Sequence, residues 1–151
     1  MSGARTLVGR VFVVEWQRRE IEDLKRVWAE LDQAFRRVGE PLVYVGVLTE
    51  RTTPSTADFD TSMTAFSAAR VTLCHSVHLI VEGAGPDRVE ARAHVATALR
   101  ASNLRPVVAK SATELLRLAS RQVREELKLA LEVALNGAQA ASGHFRTTRS
   151  S

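Results

Sequence analysis

The chain has 151 residues, of which 45% are hydrophobic and 25% are charged. These proportions are ordinary for one globular domain and exclude a wholly disordered chain. No apolar run approaches the roughly 20 residues that span a bilayer, so we expect no membrane-spanning segment. The segment after Met1 lacks the apolar stretch of a secretory signal, and a lone cysteine, Cys74, allows no intrachain disulfide. We therefore expect a cytoplasmic protein.

Basic side chains exceed acidic ones, 21 to 17, and all but Lys25, Lys110 and Lys128 are arginines. A nucleic-acid partner would be contacted by Arg18, Arg19, Arg36 and Arg37. The basic side chains are mixed with acidic ones along the predicted helices, however. Aromatic residues, on which nucleobases could stack, make up only 5% of the chain. The sequence therefore favours a general arginine-rich composition, rather than nucleic-acid binding, as the explanation of the basic charge.

The first predicted strand is Val11–Val14, a β-branched and aromatic run. Leu7 and Val8 either extend this strand or form a separate, earlier strand that ends near Gly9. A helix is predicted over residues 19–38, because six apolar residues recur every three or four positions on one stripe. They are Ile21, Leu24, Trp28, Leu31, Phe35 and Val38. Gly39 predicts the end of this helix.

Two more strand–helix pairs follow. Leu42–Leu48 is almost entirely apolar, which is typical of a strand covered on both faces in a parallel sheet. The polar loop 49–56 leads to a helix predicted from Asp58 to about Cys74. Val77–Val81 is the third clear strand, and a glycine-containing turn connects it to a helix predicted over residues 87–103.

The final elements are a short strand, Val107–Ala109, and a long helix that a Ser111–Glu114 capping box opens. The helix is predicted to end near Asn136, before Gly137. At about 1.5 Å per residue it would be about 37 Å long, which exceeds the width of a small domain. Its distal half either projects or folds back over the domain. If it projects, its stripe is an interface for a second copy through Val123, Leu127 and Leu131, and the protein is a homodimer.

The repeated strand–helix order predicts an α/β fold. We expect a four- to five-stranded, mostly parallel sheet flanked by helices, with an extended C-terminal helix. The predicted divisions are an α/β domain over residues 1–120, a helix extension over 121–137 and a disordered tail over 138–151.

This order of elements, from Arg10 to Ser120, resembles the STAS family of bacterial anti-sigma-factor antagonists and stressosome subunits. The closing run from Val107 to Leu116 is also similar to the end of that family. The resemblance implies a non-catalytic switch protein that binds a kinase-type partner. It further implies a phosphoacceptor at the start of the helix after the central strand, although the family's Asp-Ser-Ser-Gly-like signature is absent from residues 49–58 here. The candidate phosphoacceptors are Thr52, Thr53, Ser55 and Thr56.

These hydroxyls have a second interpretation. A phosphate at the helix N-terminus would meet free N–H groups and the helix dipole, with Arg51 as a charge partner. Capping of the helix by Ser55 or Thr56 accounts for the same residues without any modification.

The turn after the third strand carries the other candidate site. Its glycines precede a helix, as in phosphate-binding loops, but Arg88 stands where the dinucleotide fingerprint needs a third glycine. A tight turn is the better account, and an anion or ligand site at this carboxyl edge of the sheet is the alternative. Its candidate residues are Glu82, Gly83, Gly85 and Arg88.

No metal site, cofactor or catalytic residue is predicted. Cys74, His75 and His78 are close in sequence, but residues 75 and 78 of a regular strand point to opposite faces. The other histidines, His94 and His144, are isolated.

The leading hypothesis is therefore a non-catalytic regulatory or scaffold protein that acts through protein–protein interaction, with phosphorylation as a switch and self-association as a second property. The alternative is a small-molecule binding protein, for a ligand or lipid, or an enzyme, using the Glu82–Gly85 sheet edge.

Overall fold

A computed structural model describes residues 4–53, 56–83, 85–100 and 105–143. In chain order its elements are β1 (Arg5–Val8), β2 (Val11–Trp16), α1 (Ile21–Val38), β3 (Leu42–Leu48), α2 (Ala57–Arg70), a 3-10 turn (Val71–Leu73), β4 (Cys74–Val81), α3 (Pro86–Arg100), β5 (Val107–Ala109), α4 (Ala112–Leu118) and α5 (Arg121–Gly143). The predicted α/β fold is confirmed. Within the described residues, no helix is both long enough and apolar enough to cross a bilayer.

The five strands form one sheet in the order β1-β2-β3-β4-β5. β1 pairs antiparallel with β2, and every other neighbouring pair is parallel. The segment before Val11 is therefore a separate strand, and Gly9 takes the positive φ of 59° that the intervening turn requires. At the far end of α1, Gly39 adopts the left-handed conformation as predicted, and its N–H donates to the Phe35 carbonyl.

The strand order determines where the helices lie. Each crossover from β2 to β5 moves one strand further in the same direction, and crossovers between parallel strands are right-handed. α1, α2 and α3 must then share one face of the sheet, which leaves the opposite face to α4 and α5. Coverage on both sides explains why every residue of β3 is buried, as its apolar sequence predicted.

The face under α1, α2 and α3 contains the large rings, and we call it the aromatic face. Trp16 meets Phe59 edge-on with ring centroids 5.8 Å apart, and Trp28 stacks on Tyr44 at 6.2 Å. Its buried members are Phe12, Val14, Trp16, Leu24, Val27, Trp28, Leu31, Ala34, Leu42, Tyr44, Leu48, Phe59, Val77, Leu79, Val81 and Leu99.

The opposite face, which we call the aliphatic face, is filled by branched side chains and alanines. Among the described residues its buried cluster contains only aliphatic side chains. They are Val11, Val13, Val43, Val45, Val47, Ile80, Ala109, Leu115, Ala119, Val123, Leu127, Ala130, Leu131 and Ala134.

The last helix differs from its prediction in two ways. It is broken at Ala119, whose ψ of 151° is extended, so α4 and α5 are separate helices and α5 turns back across the sheet. Its backbone also continues through Gly143, beyond the predicted end at Asn136, in an alanine-rich run that suits a helix. Residues 144–151 of the predicted tail lie outside the described residues.

This turn-back decides between the two alternatives for the apolar stripe. Val123, Leu127 and Leu131 are buried against the sheet of their own chain. The interface predicted for them is therefore corrected: a single sheet needs cover on its second face, and this stripe supplies it.

Candidate functional site

The parallel strands β2, β3 and β4 end together at one edge, where Trp16, Leu48 and Val81 lie side by side in register. The loops that leave this edge carry the predicted phosphoacceptors and the predicted ligand residues. Parallel sheets place their binding sites at this end. The strand order does not reverse within the sheet, so the crevice that doubly wound folds use is absent from the described strands.

Thr52 ties the loop after β3 to the neighbouring strand. The residue is only 8% exposed. Its hydroxyl donates to the Trp16 carbonyl at 2.7 Å and accepts the Thr49 N–H at 2.9 Å. A phosphate has no room in this position, so Thr52 is a structural anchor and not an accessible phosphoacceptor.

Thr53 and Thr56 are the exposed hydroxyls of the described loop. Thr53 accepts the Arg19 N–H at 3.3 Å, and the Arg19 guanidinium donates to the Thr53 carbonyl at 3.0 Å. Thr56 caps α2 by accepting the Phe59 N–H at 3.1 Å, as one of the two interpretations predicted. Ser55 lies outside the described residues.

Arg19 links this loop to the rest of the edge. Burial lowers the pKa of its guanidinium, nearby Arg88 lowers it further, and Asp60 opposes both effects. Asp60 also contacts the His94 ring at 3.0 Å. Additional negative charge beside Arg19 would therefore be stabilised.

The glycine turn after β4 is held by arginines. Gly83 and Gly85 have φ of 107° and 101°, which favour glycine. The Arg88 guanidinium donates to the Glu82 carbonyl at 2.7 Å, and Arg92 donates to the Gly83 carbonyl at 3.0 Å. The structure thus brings the four predicted ligand residues together, but Arg88 is engaged with backbone carbonyls. Ala84 lies outside the described residues.

Glu15 joins this edge and was not singled out from the sequence. Burial raises the pKa of its carboxyl, and the charge of Glu82 raises it further. An acidic residue inside the apolar run of β2 was the signal that could have identified it.

Cys74 and the described histidines are not arranged as a set of metal ligands. A bulge pairs Leu42 with Cys74 but Val43 with Ser76, so the alternation assumed for residues 75 and 78 does not hold. His78 is buried, His75 is exposed, and burial raises the pKa of the Cys74 thiol to about 11. Among the described residues, no three His, Cys, Asp or Glu side chains could hold a metal ion together.

An apolar cavity of about 50 Å³ lies on the aromatic face beneath α2. Its lining residues include Trp16, Trp28, Tyr44, Phe59 and Ser67. This cavity was not predicted from the sequence. Its signal was Ser67, a polar residue eight positions after Phe59 on the buried side of a helix.

Gly46 leaves space for two residues that line this cavity. A Cβ at this position would lie 2.9 Å from both a Leu79 methyl and the Tyr44 hydroxyl. Tyr44 can therefore lie across β3 and accept a hydrogen bond from the Trp16 indole at 3.1 Å. Glycine inside a strand is a sign of such close approach.

The four candidate nucleic-acid contacts do not form one patch. Arg18 pairs with Asp23 at 3.2 Å near the start of α1, whereas Arg36 and Arg37 lie in its last turn. The two ends are separated by about 25 Å of helix.

We compared the chain with protein-family models, with curated proteins and with solved structures, and none of the three comparisons produced a match. The residues described above are therefore the basis for a proposed function.

Proposed function

We propose that this chain is a non-catalytic regulatory or scaffold protein that acts by binding another protein in the cytoplasm. Its contact surface is the switch surface, which we define as Arg19, Arg51, Thr53 and Thr56. One observation carries the proposal: Thr52 fixes the loop to β2, while the hydroxyl of Thr53 is held at the surface beside Arg19. A fixed loop with an exposed acceptor can change its charge without unfolding the domain.

Thr53 is the preferred phosphoacceptor. A phosphate there could accept charge-assisted hydrogen bonds from the half-buried Arg19 guanidinium, which has Arg88 as a neighbouring cation. Thr56 is less suitable, because it caps α2 and stands next to the acidic first-turn residues Asp58 and Asp60. The resemblance to the STAS family, where this loop is the switch, supports the same assignment.

Self-association is the second part of the proposal. With its inner stripe buried, α5 presents Leu129 and Val133 outward, 55% and 47% exposed and one helical turn apart. Exposed neighbouring aliphatic side chains favour a contact with a second copy. The mass in solution of the wild type and of the Leu129→Glu variant tests this part of the proposal. It fails if the wild type is a monomer, or if the variant has the same oligomeric mass as the wild type.

The alternative, a small-molecule site or enzyme at the Glu82–Gly85 edge, has less support. Arg88 and Arg92, the cations of that turn, are engaged with backbone carbonyls. Glu15 and Glu82 remain as an acidic pair there, and a cationic metabolite retained on purification would favour this function.

The switch is tested by placing phosphothreonine at position 53 in the full chain. Proteins recovered from native cells on the phosphorylated and unphosphorylated forms are then quantified. Phosphothreonine at Thr61, which is exposed on α2, is the matched control. We expect at least one partner to change its recovery by about tenfold with the first modification only. Equal recovery on all forms, or absence of phosphate at Thr53 in protein from its own host, would contradict the proposal.

A further inference from the structure

We propose that the outer edge of β1, together with the groove beside it, is the contact surface for a second copy of this chain. The two copies pair their β1 strands antiparallel across a two-fold axis at Leu7, which joins two five-stranded sheets into one. This inference rests on the self-association proposed above and gives it a contact surface separate from Leu129 and Val133.

The backbone of β1 can pair with another strand. β1 is an edge strand and pairs with β2 alone, and the Glu15 N–H donates to the Ala4 carbonyl at 2.9 Å. Since antiparallel pairs alternate, the backbone of Thr6 and Val8 also faces β2, whereas the N–H and C=O of Leu7 face away from it. β1 contains no proline and pairs with β2 without a bulge, so it lacks two features that block pairing at exposed edges.

A groove of about 220 Å³ lies between this strand and α1. Leu7, Phe12 and Ala34 are its apolar lining residues. α1 adds a row of polar residues, which are Glu30, Gln33 and Arg37. Because residues three, four or seven positions apart lie on the same side of a helix, these three form one stripe along the groove.

This polar row is complementary in charge to a second copy of itself. A two-fold axis beside Gln33, near the middle of the row, places Glu30 opposite Arg37 of the second copy and, by the same rotation, Arg37 opposite its Glu30. Arg37 is exposed, and the Glu30 side chain is 38% exposed, so both can contact another chain. Opposite charges at the two ends of the row favour a second copy over a partner of uniformly acidic or basic charge.

The centre of the strand pairing and the centre of the polar row lie level with each other. The Arg5 guanidinium contacts the Glu30 carboxylate, which fixes the alignment of β1 with α1. Both elements run antiparallel to β2, since β1 pairs antiparallel with it and α1 connects it to a parallel strand. From the Arg5–Glu30 contact, Leu7 is about 7 Å further along β1 and the middle of the row is about 5 Å further along α1. One two-fold axis therefore satisfies both contacts.

The test exchanges the charges of the row in the full chain. Arg37→Glu places like charges opposite each other at both symmetric contacts and should raise the dissociation constant of the dimer about tenfold, as measured by the mass in solution over a series of concentrations. Glu30→Arg should have the same effect. A mixture of the two variants restores both contacts and should form a heterodimer with about the affinity of the wild type. Arg36→Glu, outside the groove lining, is the matched control and should leave the constant unchanged.

Hydrogen exchange of the Leu7 amide tests the strand pairing separately. In the wild-type dimer this amide should exchange at least about tenfold more slowly than in Arg37→Glu at a concentration where the variant is monomeric. The amides of Thr6 and Val8 face β2 in both states and should be protected equally.

The outcomes separate this inference from the proposed function. A monomeric wild type would overturn both this contact and the self-association proposed above. A wild-type dimer that dissociates with Leu129→Glu but not with Arg37→Glu would overturn the edge contact alone. Failure of the mixed variants to form a heterodimer, or an unprotected Leu7 amide in the dimer, would also overturn it.

Discussion

The two faces of the sheet are built from the same strands but differ in chemistry. On the aliphatic face, α5 buries Val123, Leu127 and Leu131 in a cluster that contains only aliphatic side chains among the described residues. On the aromatic face, rings surround a cavity, and Ser67 and Trp28 have polar atoms without a hydrogen-bond partner among the described residues. The contrast indicates that the aliphatic face is closely filled by its helix and that the cover of the aromatic face leaves space beneath α2.

The helices that cover the two faces show the same contrast. α5 buries one continuous stripe and exposes the opposite side, which is the pattern of a helix fixed by packing. Of the described side chains of α2, only Phe59 and Ser67 are buried, whereas Met63 and Phe66 are half-buried against the aromatic face. We therefore expect the cover of the aliphatic face to be more stable than α2.

The largest expected effect is on the aliphatic face. Leu127→Ala removes a side chain with no exposed surface and should lower the free energy of unfolding by about 2–5 kcal/mol. Leu129→Ala, two positions away and 55% exposed, should change it by no more than about 0.5 kcal/mol. Urea unfolding measures both, and similar losses for the two variants would contradict the assignment of the buried stripe.

A smaller effect is expected from overpacking of the aromatic face. Gly46→Ala places a methyl group 2.9 Å from Leu79 and from the Tyr44 hydroxyl, which should cost about 1–3 kcal/mol. The same variant should displace Tyr44 and change the fluorescence of Trp16, its hydrogen-bond donor. If the Gly46→Ala variant has the stability and the fluorescence spectrum of the wild type, the side chains of Tyr44 and Leu79 do not lie this close to position 46.

The smallest effect concerns His78, a buried polar residue in register with Val45 of the aliphatic face. Burial lowers its pKa below the ordinary 6.5, although the Tyr44 carbonyl, 3.3 Å from its ring, partly opposes this. At about pH 6.5 the His78 side chain therefore binds a proton in the unfolded chain but not in the folded chain. The free energy of unfolding falls as the pH decreases through about 6.5.

His78→Leu should remove that component of the pH dependence. Urea unfolding of both proteins at about pH 7.5 and about pH 5.5 gives the comparison. An equal loss of stability in the two proteins between these pH values would assign the acid sensitivity to other groups.

Most of the fold could be predicted because its signals are local. The apolar run of β3, the stripe of α1 and the Ser111–Glu114 capping box all occur in the structure as expected. The break at Ala119 could not be predicted in this way, since the helical pattern on both sides of it is continuous. It follows from a global requirement, the cover of the second face of the sheet.

The site was less predictable than the fold. Thr52 and Thr53 are adjacent and chemically identical, and only the position of the Trp16 carbonyl makes one an anchor and leaves the other exposed. The cavity likewise is lined by residues of separate elements, Tyr44 and Ser67 among them, that come together only after folding.

The central claim is that the aliphatic face is the stable side of the domain and the aromatic face the side that opens. Hydrogen exchange of the backbone amides tests it most directly, by comparing the buried part of α5, from Val123 to Leu131, with α2, from Phe59 to Ser67. The account predicts that α2 exchanges at least about tenfold faster, equivalent to about 1.4 kcal/mol. Equal protection of the two helices, or stronger protection of α2, would contradict it.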